Sequence, residues 1–78
     1  MDAEQLRREL DENGVRPDAY SLDGRSEEAY CLDRSADKWS VYYYERGIES
    51  GKRTFACESD ACAYLLGLLR KDPSVKRL

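Results

Sequence analysis

The chain has 78 residues, 41% of them hydrophobic and 37% charged, and a formal net charge of −3. That length supports a single domain, 1–78, with one core and one sheet. It leaves no room for a deep substrate cleft, and no apolar run approaches the ~18–20 residues of a bilayer helix. Residues 1–33 hold ten acids against four bases and residues 34–78 six against nine, so the front of the chain is an acidic surface that repels nucleic acid and anionic membrane and attracts a basic partner.

A first helix is signalled by Asp2 as N-cap with Gln5 three residues on, the capping-box pair. Leu6 and Leu10 share one face, Glu4 and Arg8 form an i,i+4 pair, and Asn13-Gly14 ends the helix, with Gly14 free to turn left-handed. The apolar stripe is narrow, so this helix must lean on a sheet. After Arg16-Pro17-Asp18, residues 19–22 alternate only briefly and read as an ordered loop rather than a strand, followed by the turn pair Asp23-Gly24.

Three strands follow. Residues 28–33 place Tyr30 and Leu32 on one face and Ala29 and Cys31 on the other. Residues 34–37 make a turn. Residues 38–46 carry Trp39, Val41 and Tyr43 on one face, and Ser40, Tyr42, Tyr44 and Arg46 on the other. Residues 47–51, with a glycine at each end, read as a hairpin loop of roughly three to five residues or as a bulge, and residues 52–57 form the third strand. Short connections predict antiparallel pairing throughout. A last helix begins near Ser59 as N-cap, buries Ala61, Tyr64, Leu65, Leu68 and Leu69, and stops at Asp72-Pro73, leaving 74–78 as a frayed basic tail. The expected fold is α+β: a two-layer α-β-β-β-α domain with a three-stranded antiparallel sheet and both helices on one face.

The second sheet face then carries Tyr42, Tyr44, Cys31, Thr54 and Ala56. Two arrangements are open. Either the two tyrosines face solvent, or the first helix or the Tyr20 segment covers one of them, so that both sheet faces are buried. Exposed tyrosine is enriched at protein interfaces.

No residue pattern points to catalysis. Cys31, Cys57 and Cys62 are odd in number and have no histidine beside them, so they read as reduced thiols used as small apolar residues. A zinc site wants four ligands in tight pairs, and no cofactor is expected. Glu27-Glu28 and Asp11-Glu12 read as solvated surface. Residues 47–52 echo a phosphate loop but join two strands rather than a strand and a helix. The start, Met1-Asp2-Ala3-Glu4-Gln5, is acidic and lacks the apolar stretch of a secretory signal, so a cytoplasmic location is expected. Nine of the thirteen bases are arginine, a composition that fits a GC-rich bacterial genome. The α-β-β-β-α order is that of the double-stranded-RNA-binding domain, but that family meets phosphates with lysines at the start of its last helix. Here Glu58 and Asp60 stand there, and without bases no counterion release drives binding.

At Asp18-Ala19-Tyr20-Ser21-Leu22, at Tyr43-Tyr44-Glu45-Arg46-Gly47 through Phe55, and along the final helix, the chain resembles a family of small uncharacterised bacterial proteins of the immunity type, encoded beside polymorphic toxins. The shared positions are turn and core residues. What the resemblance implies is a cytosolic inhibitor that binds its toxin and does no chemistry of its own. The residues by themselves are compatible with that. They predict a non-enzymatic protein-binding module, monomer or homodimer, that meets a protein partner with Tyr42, Tyr44 and Arg46, flanked by Asp18, Asp23, Glu27, Glu28 and Asp33. The alternatives are a structural domain that self-associates through the same face and, behind it, an RNA-binding domain.

Overall fold

Helix α1 (Ala3–Glu12) starts as its capping box predicts: in the computed structural model, which describes residues 1–76, the Asp2 carboxylate accepts the Gln5 N–H at 2.8 Å and the Gln5 side chain accepts the Asp2 N–H at 3.0 Å. The helix ends at Gly14, whose φ of +73° suits a residue without Cβ. The Gly14 N–H then reaches the Asp11 carbonyl at 3.1 Å and the Val15 N–H the Leu10 carbonyl at 3.0 Å, a Schellman closure that drops Val15 into the core.

The sheet has four strands in the order β1 (Tyr20–Ser21), β2 (Ala29–Ser35), β3 (Lys38–Glu45), β4 (Ile48–Phe55). β2, β3 and β4 form the expected antiparallel meander. The expectation of three strands, antiparallel throughout, is corrected by β1. Residues 20 and 21, read as loop, pair parallel with Tyr30 and Cys31, and beyond the strand the Gly24 N–H ties the following bend to the Leu32 carbonyl at 3.1 Å. Parallel strands normally need a crossover of about a dozen residues or more. A strand of two residues needs only a short return, and residues 22–28 suffice.

The second hairpin is tighter than a loop over residues 47–51. Arg46 and Gly47 both have positive φ, 53° and 80°, which makes a two-residue turn whose twist matches the strands. β4 therefore begins at Ile48. Its irregularity lies further on: Tyr43 pairs with Ser50 and Val41 with Arg53, so Gly51 and Lys52 together oppose Tyr42. Gly51, at φ +62°, supplies the left-handed residue of this bulge.

Both helices lie on one sheet face. Leu6 and Leu10 of α1 meet Leu32, Val41 and the buried stripe Ala61, Cys62, Leu65, Leu69 of α2 (Glu58–Lys71). Trp39, Tyr30, Phe55 and Tyr64 pack around this cluster. The N-cap of α2 is Cys57 rather than Ser59. The carboxylate of Glu58 in the first turn accepts the Ala3 N–H at 2.9 Å, which ties the start of α2 to the start of α1. The tail expected to fray is docked over residues 74–76. Val75 is buried, its carbonyl accepts the Arg16 N–H at 2.8 Å, and Lys76 Nζ donates to the Asn13 carbonyl at 3.1 Å. Residues 77 and 78 of that tail lie outside the described residues.

Truncating Leu65 to alanine removes a fully buried side chain and is expected to cost about 2–5 kcal/mol. Ala36, at φ 57° between β2 and β3, works the other way: Ala36→Gly relieves a left-handed alanine and is expected to stabilise by about 0.5–1 kcal/mol. Urea unfolding followed by the fluorescence of Trp39 measures both.

Candidate functional site

The sheet face away from the helices is not open. Tyr42 is 1% exposed and forms a second small core with Ala29 and Cys31, against which Tyr44 packs half-buried. The cover is neither α1 nor the Tyr20 strand but the return loop that follows it. Cys31 Sγ donates to the Ser26 carbonyl at 3.6 Å, and the Arg25 guanidinium lies 4.9 Å from the centre of the Tyr44 ring. Arg25 is held there by Glu49 at 2.8 Å, and Glu49 also takes Lys52 at 3.2 Å. Lys52 Nζ in turn stands 5.6 Å from the centre of the Tyr42 ring. The hydrogen bond from Arg25, then that from Lys52, holds the Glu49 carboxyl below its usual range. The phenol of Tyr42 donates to Asp33 at 3.2 Å. These charges and rings satisfy one another: of the two arrangements left open for the tyrosines the covered one holds for Tyr42, Tyr44 is half-buried, and Asp33, expected in the acidic flank, is bonded to Tyr42. Thr54 and Ala56, at the β4 end of this face, are exposed.

Of the other expected contact residues, Glu27, Glu28 and Arg46 lie at the opposite end of β2, whereas Asp23 adjoins Gly24, whose N–H reaches Leu32 beside Asp33. Asp33 is five residues from Glu28, roughly 17 Å along a strand. Asp18 is exposed and pairs with Arg16 at 3.3 Å. Glu27 is exposed and accepts the Arg46 N–H at 2.6 Å, so the return loop is pinned to the β3–β4 turn. Glu28 is exposed, with φ 52°, and makes no ion pair among the described residues. Asp23, exposed in the loop, accepts the Ser21 hydroxyl at 3.1 Å.

Beside Glu28 lies a cleft of about 150 Å³ lined by Arg16, Glu28, Tyr30, Tyr43, Asp72 and Ser74, floored by Ala19 and Val75. Tyr30 and Tyr43, register partners on β2 and β3, meet edge to face with ring centres 5.0 Å apart. The Tyr30 phenol donates to Asp72 Oδ2 at 2.9 Å, and Ser74 gives the other carboxylate oxygen its backbone N–H at 3.0 Å and its hydroxyl at 2.6 Å. The hydrogen bonds from Ser74 and Tyr30 hold the Asp72 carboxyl below its usual range, so it is a fixed negative charge. Burial, followed by the negative charges of Glu45, Glu28, Asp72 and Glu27, pushes the Tyr43 phenol up. Glu27, Glu28, Glu45 and Asp72 thus all act on the Tyr43 phenol, and Arg16 is the base on the cleft wall.

Alternation put Tyr43 on the core face, and it lies there. Its availability went unread because the depth of helical cover is a tertiary property. The signal in the sequence was position: Trp39 and Val41 already fill that face beneath the helices, and Tyr43 is only two residues from the end of β3. Asp72 was read only as a helix stop.

Cys31 and Cys62 are packing residues, whereas Cys57, expected to be one too, stands at the exposed N-cap of α2. Burial pushes Cys62 up to about 11 and raises Cys31, Cys57 is exposed, and all three are free. No three His, Cys, Asp or Glu side chains among the described residues gather to hold a metal ion. No helix among them is long and apolar enough to cross a membrane. Fold and site together define a small α+β domain with a charged, aromatic surface cleft. Comparison with known proteins returns no matching family model, no matching curated protein and no matching solved structure.

Two measurements check this description. In native protein a chromogenic disulfide reagent is expected to react quickly with one thiol, Cys57, and slowly with two; Arg25→Ala loosens the return loop and speeds the reaction of Cys31. Alkaline titration reads the phenols. Burial first, then the Asp72 hydrogen bond for Tyr30 and the Asp33 charge for Tyr42, pushes each up to about 12. An unfolded tyrosine titrates near 10. The folded chain therefore holds these protons more tightly, and the stabilisation is whole below pH ~10 and lost as the pH rises through ~12. Tyr30→Phe and Tyr42→Phe are each expected to flatten that loss, followed by phenolate absorbance and by denaturant midpoint.

Proposed function

We propose that this protein is a non-enzymatic protein-binding module that meets a basic partner with the carboxylate-rich end of its sheet. The observation that carries the reading is the imbalance around Tyr43. Carboxylates of Glu27, Glu28, Glu45 and Asp72 surround its phenol, while the far-face charges are consumed by one another. Half-buried aromatic side chains beside a charged rim are what anchors a protein contact, and the surrounding field speeds the encounter. The expected partner-binding set changes accordingly. Tyr43 and Tyr30 replace Tyr42 and Tyr44, Glu28, Glu27 and Asp18 remain, and Asp23 and Asp33 lie away from the centre. In its immunity-like form the partner is a toxin with a basic cleft, and occupying that cleft is the whole mechanism. Self-association through the far face loses its surface to the return loop. The acids at the start of α2, Glu58 and Asp60, continue to disfavour RNA.

The test is charge reversal. Tagged wild-type protein and a Glu28→Lys/Glu45→Lys variant are used for affinity capture from the producing host, and the protein lost with the variant is purified and titrated. A basic protein bound at least ~10-fold more weakly by the variant, with affinity falling as salt rises, is the expected result. Equal binding to both, at all salt concentrations, removes the reading.

A further inference from the structure

We propose that the cleft between Tyr30, Tyr43, Glu28 and Asp72 is a receptor for one arginine side chain of the partner protein, an inference that rests on the protein-binding reading above. The cleft is closed below by Ala19 and Val75 and has a volume of about 150 Å³, which suits a single planar group rather than a peptide segment. Two aromatic rings line it, and a guanidinium is held by ring faces as well as by carboxylates.

The charges are set for a cation. Asp72 is held ionised by Ser74 and Tyr30. A carboxylate has roughly four acceptor sites, and three donors occupy Asp72, namely the Tyr30 hydroxyl and the Ser74 N–H and hydroxyl, so a site remains for a guest. Glu28 makes no ion pair among the described residues, and its left-handed backbone, φ 52°, is a conformation that a non-glycine residue adopts at a cost. The one base on the wall, Arg16, gives Nη1 to Asp18 at 3.3 Å and Nη2 to the Ser74 carbonyl at 3.1 Å, while its buried Nε has no partner and its charge acts on Asp72, so Glu28 is the wall carboxylate without a paired base. Arginine fits better than lysine because a flat guanidinium both stacks on tyrosine and offers a two-pronged contact to a carboxylate.

The test uses full-length protein and N-acetyl-arginine methylamide, with the citrulline analogue as an uncharged isostere, read by NMR at the Tyr30 and Tyr43 rings and the Glu28 amide. Saturable shifts at these groups with a Kd on the order of millimolar, absent with citrulline and weakened at least ~5-fold by Glu28→Gln and by Tyr43→Leu, are expected. Glu28 is exposed, so the first variant keeps the fold whatever the second does. Shifts absent there, equal with citrulline, or unchanged by Glu28→Gln overturn the assignment. A chain that captures its basic partner yet ignores the arginine probe loses only the cleft assignment. One that binds the probe yet distinguishes no partner by charge reversal loses the protein-binding reading.

Discussion

A sheet covered by helices on one side has a second apolar face to keep from water, and residues 22–28 are what this chain uses for it. The parallel pairing of Tyr20 and Ser21 with β2 sends the chain past the start of that strand, so it must double back. The path back crosses Ala29, Cys31, Tyr42 and Tyr44. Arg25 fastens it to Glu49 on β4, and Glu27 fastens it to the Arg46 N–H. The loop then delivers Glu28 to the mouth of the cleft. Closure of the second core and placement of the carboxylate rim are therefore one structural event, and a change in the loop acts on both.

The molecule uses charge in two ways. On the far face, opposite charges are neighbours: Arg25 and Lys52 share Glu49, and the Tyr42 hydroxyl donates a hydrogen bond to Asp33. The two ion pairs lie at the surface and are worth little each in water, but they hold cations over the Tyr44 and Tyr42 rings and leave little for a visitor. At the cleft the balance is uneven. Arg16 gives its two terminal nitrogens to Asp18 and the Ser74 carbonyl, while four carboxylates act on Tyr43 and Glu28 has no ion pair among the described residues. A surface already satisfied internally is poor at recognition, because any contact with a partner must first break one at home. That reasoning, rather than a count of exposed rings, separates the two faces.

Much of the fold was legible in local rules. The α1 capping box, the Gly14 closure, the three antiparallel strands, the division of β2 and β3 into two faces, and the stop at Asp72-Pro73 each depend on residues close in sequence. The misreadings needed distant knowledge. Residues 20 and 21 form a strand only because β2 offers a free edge, and two residues carry almost no periodicity of their own. Ser59 is a good N-cap by type, yet the cap is Cys57 and α2 begins two residues earlier than that choice implies, where Glu58 reaches α1. Val75 docks because α1 ends in a turn that exposes a partner for it at Arg16. For the site, the acids at 18, 27 and 28 were legible as an acidic flank. Which tyrosines stood beside them was not, since alternation tells which rings share a face but not which face a later loop will cover.

The bulge at Gly51 and Lys52 has a consequence of another kind. β4 is the long outer edge of the sheet, with eight residues whose outward amides and carbonyls have no neighbouring strand. Such a border invites another chain to add itself and continue the ladder without limit. The two-for-one step opposite Tyr42 kinks the border midway, so an added strand cannot keep one register along its whole length. Glycine 51 thus guards solubility: the residue that lets the hairpin twist also keeps one molecule from seeding a fibre of its own kind.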